Sequence, residues 1–205
     1  MQRKTQTGFT LIELMIVLVL LVILVAMAAP SFVDTLDRRW VINATQALTT
    51  QIQQARSLAV TRNREVSLVI QRVDGSDWCF GLTDTGACDC TVTSDADANA
   101  CLVVIPDPAP LSNPGPTLVR ADASSFPGVD LGPIPLTDGR FTLTFEPTRG
   151  LRTDGGSLAI AATANNHTFR SPRGLETTIR VNLIGRIQTC SPSGAALLGG
   201  IEPCS

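Results

Sequence analysis

Glu13 is a lone acid at the head of an uncharged stretch: no charged residue follows until after Val33, and the leader before it holds Arg3 and Lys4 and no acid. A carboxylate well inside a membrane helix costs about 2.5–3.5 kcal/mol on insertion scales, so it calls for a partner. The residues supply two. Thr10-Leu11-Ile12-Glu13 fits the S/T-x-x-E capping box, in which the glutamate satisfies an orphan amide at the helix start. A cut after Gly8 would also create a positive α-amino group on Phe9, and both partnerships can hold together.

The six cysteines, Cys79, Cys88, Cys90, Cys101, Cys190 and Cys204, accompany a single histidine, His167. In a domain exported by its own apolar segment, that composition reads as disulfides and not as a metal site. Cys190 with Cys204 closes a loop of about 15 residues, worth roughly 3 kcal/mol in the loop-entropy model. Cys88 and Cys90 are too close to pair with each other, so Cys79 and Cys101 each take one of them. A metal or redox centre at Cys88-Asp89-Cys90 would lack a second cluster of ligands, and no cofactor is expected.

His167 lies in Asn165-Asn166-His167, which reads as a polar turn. No nucleophile-elbow glycine pattern accompanies any serine, so a hydrolase built on this histidine is not supported and the chain reads as no enzyme. Gly155-Gly156 and Gly199-Gly200 are turn glycines without a phosphate-loop lysine. Once Arg3 and Lys4 are removed with the leader, the 14 remaining bases are all arginines, against 18 acids. They are unevenly spread: Asp74 to Asp107 holds seven acids and no base, and Gly139 to Arg186 holds seven arginines and three acids. Arginine grips phosphate in a planar, bidentate way, although a genome biased toward arginine and alanine codons accounts better for the missing lysines.

The elements that must position these groups follow from periodicity. The 21 residues from Phe9 to Ala29 would span roughly 31 Å as a helix, the thickness of a bilayer's hydrocarbon core. The basic leader places the N-terminus in the cytoplasm and the bulk of the chain outside. A cleaved secretory signal has a shorter apolar region, and here Ala26, Ala28 and Ala29 come only at its end. After Pro30, where a kink is expected, Leu36, Trp40, Ala44, Ala47, Leu48, Ile52, Ala55, Leu58 and Ala59 recur at spacings of three and four. The span and this stripe make one long helix from about Thr10 to Arg62, its outer half needing a sheet to cover it.

That sheet is predicted from alternating or β-branched runs at 66–70, 78–82, 101–105, 141–145, 158–161 and 177–183, antiparallel in arrangement, with a hairpin signal at Asp74-Gly75. Residues 83–100 read as a stapled surface loop, and 106–117, with five prolines, as an extended crossover. The organisation is therefore a leader (1–8), a transmembrane and assembly helix (9–29), its amphipathic continuation (30–62) and a β-rich head (63–205). The fold class is α+β, a long N-terminal helix packed on an antiparallel sheet or small β-sandwich.

Gly8-Phe9-Thr10-Leu11-Ile12-Glu13 closely resembles the prepilin signature of type IV pilins and type II secretion pseudopilins. The resemblance implies cleavage by prepilin peptidase between Gly8 and Phe9, N-methylation of Phe9, and pairing of Glu13 with a neighbouring subunit's N-terminus. It places the protein in the bacterial inner membrane, single-pass with a periplasmic head, and then in a pilus or pseudopilus with other pilins as partners. Arg56, the strand at 66–70, Trp78 and Ile184-Gly185-Arg186 leading to Cys190 are similar to the FimT/GspH group of minor pilins and pseudopilins. In the FimT branch a Gly-Arg-x-Arg motif is associated with binding double-stranded DNA during natural transformation. This chain has Gly185-Arg186-Ile187-Gln188, so the second arginine is missing, and Arg170, Arg173 and Arg180 could compensate only by sharing a face with Arg186.

Overall fold

The computed structural model describes residues 9–104, 115–134, 139–153, 165–182, 184–192, 194 and 200–204, with backbone alone for 27–31 and Asn165. The chain divides into two compact units, Met1–Leu36 and Asp37–Ser205. Helix α1, Leu11–Arg62, belongs to both. In the first unit Thr10 caps it: the Glu13 amide donates to Thr10 Oγ1 at 3.3 Å and the Leu14 amide to the Thr10 carbonyl at 3.2 Å. From Leu11 to Val25 every large apolar side chain is more than half exposed, between 51% and 77%. Among the described residues no helix is long and apolar enough to cross a membrane. The described side chains of the apolar run stop at Ala26, so the last part of the expected span, and the expected kink at Pro30, lie outside them.

In the second unit α1 turns amphipathic. Val41, Ala44, Leu48, Ile52, Ala55 and Ala59 are buried at spacings of three and four, and Trp40 and Ala47 pack against them in part. Thr45, inside this stripe, is buried because its hydroxyl donates to the Val41 carbonyl at 2.7 Å. The helix ends at Asn63, which takes the left-handed conformation at φ 51° while the Arg64 amide closes on the Ala59 carbonyl at 3.2 Å.

The stripe is covered by antiparallel strands. Sheet one runs β5 (Arg120–Asp122), β2 (Trp78–Thr83), β1 (Val66–Arg72), β7 (Arg140–Phe145), β8 (Arg152–Thr153). Sheet two runs β11 (Ile187–Cys190), β10 (Glu176–Val181), β9 (Asn165–Arg170), β6 (Asp130–Leu131), and a two-stranded ribbon pairs β3 (Leu102–Val103) with β4 (Thr117–Leu118). Of the predicted strand at 101–105, residues 101–104 keep only Leu102–Val103 as β3, paired with the short β4, and Ile105 lies outside the described residues. The run at 158–161 and most of the crossover lie outside the described residues. The Asp74 turn does join β1 to β2, its carboxylate accepting from the Ser76 and Asp77 amides at 2.8 Å each.

Alternation gives sheet one two buried faces. Val66, Leu68 and Ile70, with Phe141, Leu143 and Phe145, join the main core that includes α1. Trp78 ties the sheets together there. Its ring lies 5.1 Å from that of Phe169 and 5.7 Å from that of Phe126, and its Nε1 donates to the Val129 carbonyl at 2.9 Å. On the opposite face Val69 packs with Cys79, Cys88, Cys90 and Cys101 in a second, smaller core. The bridges are Cys79–Cys90 and Cys88–Cys101, and a third, Cys190–Cys204, closes the C-terminal loop. Gln71 Oε1 accepts from the Cys90 amide at 2.7 Å, and Arg120 Nε donates to the Cys90 carbonyl at 2.7 Å, so the acidic loop is tied to the sheet by polar bonds as well.

Candidate functional sites

The first site is the helix start. Phe9 is almost fully exposed, and Glu13 stands one turn further on, also exposed. Its backbone takes the Thr10 half of the capping box, and among the described residues its carboxylate makes no hydrogen bond or ion pair. Gly8, the residue before the expected cut, lies outside the described residues. What this segment presents is an unpaired acid at the head of a wholly apolar surface.

The second site is the arginine-bearing head, and here the four expected residues do not assemble. Arg170 sits at one end of β9 beside Glu176, with 2.9 Å between Nε and Oε1. Arg173 lies in the turn joining β9 to β10 and pairs with Asp37 of α1 at 3.3 Å. Arg180 shares a sheet face with Arg170, four residues further along β10, and is half-buried. Arg186 is in the turn at the opposite end of β10, its amide held by Asn182 Oδ1 at 2.8 Å. A six-residue strand spans about 20 Å, which separates Arg173 from Arg186.

Arg186 instead meets two arginines from elsewhere. Arg56 on α1, Arg149 in the turn between β7 and β8, and Arg186 line one groove of about 500 Å³, with Ser57, Val60 and Ile187 among its walls. Among the described residues no acidic side chain lines it, and none of the three guanidinium groups makes a hydrogen bond or ion pair. Both turns reach Arg56 through glycines in the left-handed region, Gly150 at φ 63° and Gly185 at φ 72°. A β-carbon on Gly150 would come within 2.9 Å of Arg56 Cγ, and one on Gly185 within 3.4 Å of Arg56 Cδ. The sequence signal that would have found this group is the pair Arg149-Gly150 and Gly185-Arg186, two arginine–glycine turns distant in the chain.

His167 is a correction. The residue expected in a polar turn lies within β9, 0% exposed, opposite Ile179 of β10, its ring 4.8 Å from that of Phe141. The reason is pairing: Asn165 and Asn166 enter a ladder with β10, and the period of two turns His167 inward with Phe169. Burial, with the Arg152 guanidinium adding to it, lowers its pKa to about 4, so the ring is neutral near pH 7. A ring sealed in the core has no route to a substrate.

Two family models match this chain. Residues 3–29 match the model of the prokaryotic N-terminal methylation motif, and residues 44–185 match that of the Type II transport protein GspH. No curated protein sequence matches the chain. Two crystal forms of the type IV minor pilin FimU of Pseudomonas aeruginosa (strain PAO1) are similar in structure, each at 18% identity. One gives a TM-score of 0.42 over 76% of this chain and 95% of that one, and the other 0.39 over 74% and 96%. With its methylation motif joined to a domain match covering residues 44–185, the chain belongs to the family of the Type II transport protein GspH.

Proposed function

We propose that this chain is the precursor of a minor pilin that enters or primes a type IV pilus. Prepilin peptidase cuts between Gly8 and Phe9, Phe9 is methylated on its nitrogen, and the apolar helix waits in the inner membrane until assembly. The observation that carries the reading is the unpaired carboxylate of Glu13 at the head of an exposed apolar helix, inside the segment that matches the methylation motif. In a filament, the new N-terminus of a neighbouring subunit supplies the cation, and breaking such a buried pair costs about 3–5 kcal/mol. Glu13→Ala is therefore expected to leave cleavage intact and to reduce recovery of the protein in sheared filaments. Normal incorporation of that variant would refute the pairing role, and mature protein that keeps residues 1–8 would refute the processing.

A type II secretion pseudopilus would use the same helix and head, and deletion of the gene distinguishes the two by loss of pili or loss of secretion. A second reading, a pilus-tip receptor for double-stranded DNA, draws support from Arg186, which is exposed and without an acid partner among the described residues. The pairing of Arg170 with Glu176 and of Arg173 with Asp37 weakens the four-arginine form of that reading. A gel shift that is absent at low salt would end it.

A further inference from the structure

We infer that the groove between α1 and the turns at Arg149-Gly150 and Gly185-Arg186 is an oxyanion site for a phosphate-bearing ligand. It deepens the nucleic-acid reading above but shares only Arg186 with it. Three arginines line one concavity, and among the described residues its walls hold no acid and the three guanidinium groups have no partner. Five other arginines of the head have acid neighbours, Arg64 with Asp84, Arg120 with Asp122, Arg140 with Asp89, Arg170 with Glu176 and Arg173 with Asp37, and Arg62, Arg72 and Arg152 donate to backbone carbonyls. A concave wall carrying one sign of charge gathers counter-ions from solution.

The chemistry favours phosphate over carboxylate. One carboxylate neutralises a single arginine, whereas a phosphate presents several oxygens and accepts paired N–H bonds from more than one planar fork. The site is also preorganised. The stem of Arg56 is flanked by Gly150 and Gly185, where an added β-carbon would press on it. The two turns are fixed by their own bonds, the Gly150 amide to the Glu146 carbonyl at 3.1 Å and the Arg186 amide to Asn182 Oδ1 at 2.8 Å. A side chain already held loses less entropy when it binds.

The test uses the full mature chain in detergent micelles, titrated at low salt with inorganic tripolyphosphate, a short DNA duplex and a glutamate peptide. Saturable, salt-sensitive binding of tripolyphosphate or duplex is expected, weakened about tenfold in Arg56→Gln and in Arg149→Gln. Arg64→Gln, whose guanidinium belongs to the ion pair with Asp84, is expected to leave it unchanged. A duplex bound far more tightly than tripolyphosphate identifies a phosphodiester backbone as the source, and comparable binding a free phosphate; either supports the site. No saturable binding of either probe, equal binding of the glutamate peptide, or full affinity in Arg149→Gln would overturn it. Arg149 is exposed, so its variant carries the test even if Arg56→Gln loosens the turns. A duplex that needs Arg186 but neither Arg56 nor Arg149 would sink the groove and leave the nucleic-acid reading standing.

Discussion

Acidification from pH 7 to pH 4 should destabilise the head through one residue. His167 is the only histidine in the chain, it is fully buried, and its pKa is lowered to about 4 from the ordinary 6.5. The unfolded chain takes up a proton near 6.5, while the folded chain resists it until about 4. Between these values the unfolded state binds more protons, so stability is complete above pH 6.5 and falls as the pH drops. A shift of that size corresponds to a loss of about 2 kcal/mol at pH 5 and about 3 kcal/mol at pH 4. The cause is geometric: the ring packs against Phe141, with Arg152 also buried and cationic nearby, and among the described residues neither ring nitrogen has a hydrogen-bond partner. Asp74, Asp89 and Asp122 have pKa values below 3.8, held down by bonds from Asp77 and Ser76, from Thr91 and from Ser124, so their losses begin at lower pH. Denaturant unfolding of the full chain in micelles at pH 7, 6 and 5 measures the effect. His167→Leu should flatten the profile over that window, and the ring-proton NMR shift of the wild type should not move above pH 5. A wild-type profile that is already flat, or a midpoint near 6.5 for the ring, would refute the reasoning.

Gly81→Ala should disrupt the second core, because its β-carbon would lie 2.7 Å from Cys101 Cβ and 2.8 Å from Cys101 Sγ. Overpacking of this kind costs about 1–3 kcal/mol, and thiol titration of the purified variant should detect incomplete closure of Cys88–Cys101. Replacing Cys190 and Cys204 by serine frees a loop with a separation of 14 residues and should lower stability by about 3 kcal/mol, read as a reduced denaturation midpoint. An unchanged midpoint in either variant would contradict the packing or the loop-entropy account respectively.

The sequence by itself determined what depends on period and on local chemistry. The buried stripe of α1 follows from apolar residues at spacings of three and four, and Val41 and Thr45, which the spacing did not single out, are buried with it. The strands around 66–72, 78–83, 140–145 and 176–181 were legible because β-branched and aromatic runs end at turn residues. That Cys88 and Cys90 each pair elsewhere was legible, because two cysteines one residue apart cannot serve each other, but which of them goes to Cys79 and which to Cys101 was decided by the fold. Tertiary structure decided the rest, since pairing register is a nonlocal property. It turned His167 inward by seating Asn165 and Asn166 in a ladder, and it gave Arg170 and Arg173 acidic neighbours from other parts of the chain. It also gathered Arg56, Arg149 and Arg186 around one groove, a grouping that depends on two glycine turns closing on a helix far from both in sequence. Short-range spacing says which face of an element is apolar, but only the packing of elements fixes which charges meet.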